Sequence, residues 1–175
     1  RVIVNCGSGL SFGGDWHLAG RSTASHAALG IDGQSSSRFG PAKKGKGRML
    51  KDAPTIVMAQ KTRAVDGVRL QVNHNGYQNS HGLVHARTLD LPVDSKGLVG
   101  EDVLYAPDTQ DVQRFKAIQA KSPETFRYTA RFHLHPDVEA SLESDGASVS
   151  LTLINGDVWV FRHRGFSQLS VEESV

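Results

Sequence analysis

A chain of 175 residues, 38% of them hydrophobic, is long enough for one well-buried core and too short for two comfortable domains. Its 20 Lys and Arg against 18 Asp and Glu leave a net charge of +2, which argues against bulk binding to nucleic acid or to a membrane surface. One cysteine, Cys6, rules out an internal disulfide framework, and no apolar run approaches the roughly 20 residues of a membrane span.

The first element, "RVIVN", reads as a strand with neither an initiator Met nor a signal peptide ahead of it. Such a start predicts a fragment of something longer, with any signal for cytoplasm or periplasm upstream. Two long Gly/Ser-rich segments follow, "CGSGLSFGGDWHLAGRSTAS" and "GQSSSRFGPAKKGKGR". Long irregular loops in a compact domain tend to carry function. The basic run Lys43 to Arg48 in the second is either a solvated loop or an anion contact. Next come "TIVMAQKTRA", "VRLQVNH", the polar turn "NGYQNSHG", "LVHARTLDL" and "KGLVGEDVLY". The stretch Asp108 to Lys121 has helical composition, with Val112, Phe115 and Ile118 placed to share one short face. Four β-rich runs close the chain: "FRYTARFHLH", "VEASLES", "ASVSLTLI" and "DVWVFRH", separated by turns at "PD", "DG" and "NG". About ten or more strands at hairpin spacing, with one short helix, predict a single all-β domain over residues 1–175, an antiparallel β-sandwich.

The stretch most suggestive of chemistry is "RFHLHPDVEASLESDG". On a strand His133 and His135 point to one face and could both reach one ion. With Glu139 and Gly146 they match the first metal motif of the cupin family. The position that motif gives to a Gly holds Arg127, and its second half is missing from "GDVWVFRHRGF". Two histidines packed or hydrogen-bonded within a sheet account for the pattern more simply.

Four quieter segments, "RSTASHAALGIDGQSSSRF", "NHNGYQNSHGLVHARTLDL", "YTARFHLHPDV" and "NGDVWVFRH", occur in an order that resembles the C-terminal β-sandwich of the heparinase II/III-like proteins, polysaccharide lyases and their relatives. "VNCGSG" resembles the turn that opens that sandwich. The resemblance covers nearly the whole chain, with two departures. The family's Asn-Thr after its histidine is Ala27-Ala28 here, and the Asp of its H-D-G-Y segment is Asn75.

The resemblance implies β-elimination on a uronic-acid polysaccharide, glycosaminoglycan- or alginate-like. A base takes the C5 proton beside the carboxylate and the O4 glycosidic bond breaks. The reaction needs the carboxylate neutralised, a base within about 3 Å of the proton and an acid for the leaving oxygen. Stabilising the developing charge is worth on the order of 10²–10³ in rate per donor. In the family a helical toroid domain N-terminal to the sandwich supplies further catalytic groups, and the sandwich contributes one histidine, which His26 matches. Imidazole in general, with an unperturbed pKa of about 6.5, suits the task of accepting a proton at neutral pH. Arg21 is a candidate for the substrate carboxylate or sulfate. Tyr77 is a candidate for stacking on a sugar, or merely closes the "NGY" turn, and Trp16, in the open loop, is a candidate sugar platform. β-Elimination needs no cofactor, but some relatives hold a zinc or calcium ion in the sandwich, which makes His74 a candidate metal ligand. The implied partners are an acidic polysaccharide and the missing helical domain, with no nucleic acid and no membrane. On this reading the isolated fragment is inactive. A carbohydrate-binding or scaffolding sandwich without catalysis, and a cupin-like metal enzyme at His133 and His135, are the competing functions.

Overall fold

The computed structural model describes residues 1–7, 9, 13, 15–42, 48–94, 96–121, 126–165 and 167–173. Residues 43–47 of the basic run, and Ser8 of "VNCGSG", lie outside them. Among the described residues thirteen strands occur, and every pairing is antiparallel. The fold class is the expected one, all-β and antiparallel of the β-sandwich type, with one helix longer than two turns. No described helix is long and apolar enough to cross a membrane. The chain forms two compact units. The first comprises Arg1–Arg21, Ser25–Ala27 and Arg131–Val175, and the second Ser22–Ala24 and Ala28–Ala130.

In the first unit, β1 (Ile3–Val4) pairs with β10 (His133–Leu134), and β11 (Val138–Leu142), β12 (Ser148–Leu153) and β13 (Val158–Arg162) form a meander. Its turns are the "DG" and "NG" pairs seen in the sequence. Gly146 and Gly156 adopt φ of 65° and 85°, a region that an L side chain resists. Alternation along "SVSLTL" buries Val149 and Leu151, and Phe132 packs on Phe161 with ring centroids 5.3 Å apart. A short helix, α1 (Asp15–Ala19), lies in the Gly/Ser-rich segment. Trp16 on it is largely exposed, and Trp159 on β13 is also exposed.

In the second unit, β5 (Val57–Ala64), β6 (Gly67–Tyr77), β7 (Leu83–Pro92) and β8 (Val99–Tyr105) form a four-stranded sheet in chain order. Two smaller pairs accompany it: β2 (Leu29–Ile31) with β9 (Tyr128–Ala130), and β3 (Arg38–Phe39) with β4 (Leu50–Asp52). The helix expected from Asp108 is α3 (Thr109–Lys121), and Asp108 caps it by accepting the Asp111 N–H at 2.9 Å. Phe115 on α3 joins the core of Leu29, Ile31, Tyr77 and Leu83 and meets Phe126 edge-on at 5.0 Å, whereas Val112 faces solvent.

Two local expectations need correction. "FRYTARFHLH" is not one strand: Tyr128–Ala130 pairs with β2 and His133–Leu134 with β1, so the run is divided between partners. "NGYQNSHG" joins the antiparallel β6 and β7 as a turn should, but not at its "NG". Strand β6 runs on through Asn75 and Gly76 to Tyr77, and Gln78–His81 form a single helical turn, α2. Gly82, at φ 69°, ends that turn where a Cβ would collide with the Asp111 carbonyl.

Candidate functional site

His26 lies half-buried in the bend between a 3₁₀ turn (Thr23–Ser25) and β2. Its backbone neighbours are tied down on both sides within the first unit. The Cys6 N–H donates to the Ser25 carbonyl at 3.3 Å, and the Ala27 N–H donates to Asn5 Oδ1 at 2.9 Å. The Ser25 hydroxyl donates to the Ala19 carbonyl at the end of α1 at 2.6 Å. Cys6 Sγ lies 3.4 Å from His133 Nδ1, so one of the conspicuous histidines belongs to the frame that carries the quiet one. Arg21 is exposed on the turn after α1, held by its N–H to the Leu18 carbonyl at 3.2 Å. An imidazole on a fixed bend, near an arginine in sequence, can accept a proton and can neighbour an anion. His26 and Arg21 belong to the first unit, His74 and Tyr77 to the second.

Tyr77 is fully buried, and its hydroxyl donates to the Leu29 carbonyl at 2.7 Å. Burial pushes its phenol above the ordinary tyrosine range. No face of the ring is open for a sugar to stack on. Its place is that of a core residue at the end of β6.

His74 anchors a polar cluster that sequence reading did not assemble. Register places His74 opposite His85, and Arg87 opposite Asp102 on β8. His85 and Arg87, two apart on β7, share a face. The Gly76 N–H donates to His74 Nδ1 at 3.1 Å. Burial first, and the neighbouring His85 second, hold His74 down at a pKa of about 4, so the ring is neutral at pH 7 and its proton sits on Nε2. That Nε2 faces His85 Nδ1 at 3.3 Å, which leaves the His85 proton on Nε2, 2.7 Å from Asp102 Oδ1. Arg87 completes the chain with two parallel bonds to Asp102, at 2.7 and 2.9 Å. Burial pushes the Asp102 carboxyl up, but the bonds from His85 and Arg87 outweigh it and hold the group below its ordinary value. Gly76 is obligatory here, since a Cβ would come within 2.7 Å of the Ser36 carbonyl and 3.0 Å of His74 Nδ1.

A cavity of about 150 Å³ adjoins this chain, lined by Ala28, Val72, Asn73, His74, His85 and Arg87. That is half or less of the roughly 300 Å³ at which ordinary ligand pockets begin. Nor do the residues fit a metal ion. Both nitrogens of His74 are engaged, Asp102 is already neutralised by Arg87, and no described group of three or more ligand-type residues converges on a point. Asn75 is saturated: its Oδ1 accepts the N–H groups of Thr55 and Ile56, and its Nδ2 donates to Thr55 Oγ1 and Gln78 Oε1. The ligand role expected for His74 is therefore replaced by a hydrogen-bonded one.

A Ser80–His81–Asp32 array has the composition of a nucleophilic triad, with Ser80 Oγ 2.8 Å from His81 Nδ1 and His81 Nε2 3.4 Å from Asp32 Oδ2. The imidazole is only 3% exposed, so no substrate reaches it, and Ser80 also lies 3.3 Å from the Tyr77 carbonyl. The array is structural. At the other end of the cupin-like string, His135 Nδ1 accepts the Asp137 N–H at 3.2 Å, and Glu139 lies on β11 opposite Thr152.

Asn5, Cys6, His85, Arg87 and Asp102 were the residues that sequence reading missed. The one available signal was the i, i+2 placement of His85 and Arg87 in the "HAR" of β7.

Comparison with known proteins agrees with the resemblance. The family model for the heparinase II/III-like C-terminal domain matches residues 1–175, and with that whole-chain match the cupin reading falls away. FtsZ-localized protein C of Caulobacter vibrioides is 32% identical over 165 residues, which is 93% of this chain and 27% of that protein. The chain thus spans about a quarter of that relative's length. No solved structure matches. The chain belongs to the heparinase II/III-like family, as its C-terminal domain.

Proposed function

We propose that this chain is the sandwich portion of a protein that cleaves a uronic-acid polysaccharide by β-elimination, with His26 as the group the sandwich contributes to proton transfer. The observation that carries the reading is the placement of His26, half-buried on a bend fixed on both sides, within a whole-chain match to a lyase-associated family. An imidazole held in one place can stay within reach of the C5 proton, and a misplacement of about 1 Å costs on the order of 10²-fold in rate. Arg21, with its planar guanidinium fork, is suited to neutralise the uronate carboxylate or a sulfate as negative charge develops. The remaining groups come from a helical domain elsewhere in the same protein, so residues 1–175 alone turn nothing over. The experiment is a screen of the protein that carries this chain, beside residues 1–175 alone, against heparin, heparan sulfate, chondroitin and alginate, followed by unsaturated-uronate absorbance. Turnover by the larger protein alone supports the proposal; turnover by neither removes it, and turnover by the isolated chain removes the two-domain requirement.

A second reading is a non-catalytic sandwich used for binding or localisation. It is favoured by the relative whose name records localisation with FtsZ rather than an enzymatic activity. Failure of the whole polysaccharide panel, with retained binding to one of its members, would leave this reading in place.

A further inference from the structure

We propose that Asn5 is a positioning residue for His26, acting through the backbone of the bend that bears the imidazole. The proposal rests on the reading of His26 as the proton acceptor. Asn5 follows β1 directly, and β1 is anchored by pairing Val4 with His133 and Ile3 with Leu134. Past that anchor the chain offers two consecutive groups to the bend. Asn5 Oδ1 accepts the N–H of Ala27, the residue after His26, and the Cys6 N–H donates to the carbonyl of Ser25, the residue before it. His26 is therefore the single residue spanned by a two-point clamp, and its own φ and ψ are the dihedrals that the clamp restricts. Cys6 Sγ, 3.4 Å from His133 Nδ1, ties the clamp back to β10 through side chains as well. The Ser25 hydroxyl bond to Ala19 restrains the same bend from α1. Of these contacts only the Asn5 bond places a side-chain acceptor on the C-terminal side of His26. Loss of that bond removes the restraint that Asn5 places on the Ala27 peptide and loosens the imidazole's setting, while leaving β1, β10 and the second unit's core intact. A clamp of this kind holds a base in one orientation before substrate arrives, which raises the rate of proton transfer without adding a contact to substrate.

Histidine-ring and amide NMR of residues 1–175, beside kinetics of the protein that carries them, tests this. In Asn5→Ala the Ala27 amide and the His26 ring signals shift or broaden, while the His85 ring signals and the melting temperature stay as in the wild type. Asn5→Asp keeps an acceptor at the same position and restores both sets of signals. In the larger protein Asn5→Ala lowers kcat at least about tenfold with KM unchanged, and Asn5→Asp recovers it. Asn5→Ser serves in its place should Asn5→Ala not fold. Unchanged Ala27 and His26 signals in Asn5→Ala overturn the clamp. An unchanged kcat in Asn5→Ala, where His26→Ala abolishes turnover, overturns the positioning role. Retained turnover in His26→Ala overturns the assignment of the base instead, and the NMR comparison then decides the clamp by itself.

Discussion

His74 Nε2 faces His85 Nδ1 at 3.3 Å, and because the Gly76 N–H occupies the other nitrogen of His74, only one set of tautomers satisfies both rings. The chain of bonds runs from the Gly76 amide through the two imidazoles to a carboxylate held by Arg87. Protonating His74 at Nδ1 would expel the Gly76 amide and place a cation in a largely dehydrated site.

Stability should therefore fall on mild acidification. The unfolded chain binds a proton at His74 near pH 6.5, whereas the folded chain resists until about pH 4. The stabilisation is fully present above pH 6.5, declines as pH drops below it and is gone below about 4. After discounting for the solvent that reaches the ring, its size is about 1–2 kcal/mol. Urea titrations between pH 7.5 and roughly 4 should show this slope, and His74→Gln should flatten it. An equal slope in the variant would assign the acid sensitivity to other groups.

Two Arg–Asp pairs with the same fork geometry should behave differently because of burial. Arg87–Asp102 and Arg69–Asp90 both join Nε to Oδ1 at 2.7 Å. Asp102→Ala removes the acceptor of both His85 and Arg87 in a mostly buried site and should cost about 3–5 kcal/mol. Asp90→Ala, whose pair with Arg69 is open to solvent, should leave the urea midpoint where it is. Equal midpoints for the two variants would contradict the account of the cluster.

Tyr77→Phe leaves the buried Leu29 carbonyl without its donor and should destabilise the chain by about 1–3 kcal/mol. Binding of any polysaccharide should be unchanged, since the ring is sealed in the core. Weakened binding at full stability would return Tyr77 to the surface role considered from sequence.

Chelation should not matter. Purified protein dialysed against EDTA should keep its melting temperature, and elemental analysis should find no stoichiometric zinc or calcium. Bound metal lost in His74→Ala would show that the hydrogen-bonded cluster opens to take an ion.

Strands and hairpins were largely legible because they are local. The "DG" and "NG" turns and the alternation of "SVSLTL" are set by residues next to each other in the chain. The polar cluster was not legible, because register alone brings residues 74, 85, 87 and 102 together, and inward His and Arg look like solvent-facing residues in an alternating strand. The "NG" of Asn75–Gly76 misled for a related reason. Asn75 uses its amide to pin Thr55 and Ile56 rather than to turn the chain. His26 was singled out only through family resemblance, and nothing in its neighbouring residues announced the clamp, whose other half lies some twenty residues upstream.

His26 is proposed to transfer a proton in β-elimination. The most direct measurement is the rate of unsaturated-uronate formation by the protein that carries this chain, wild type against His26→Ala, on whichever acidic polysaccharide it cleaves. A loss of at least about 10²-fold in kcat at unchanged stability is the expected result. Wild-type turnover in His26→Ala would contradict it.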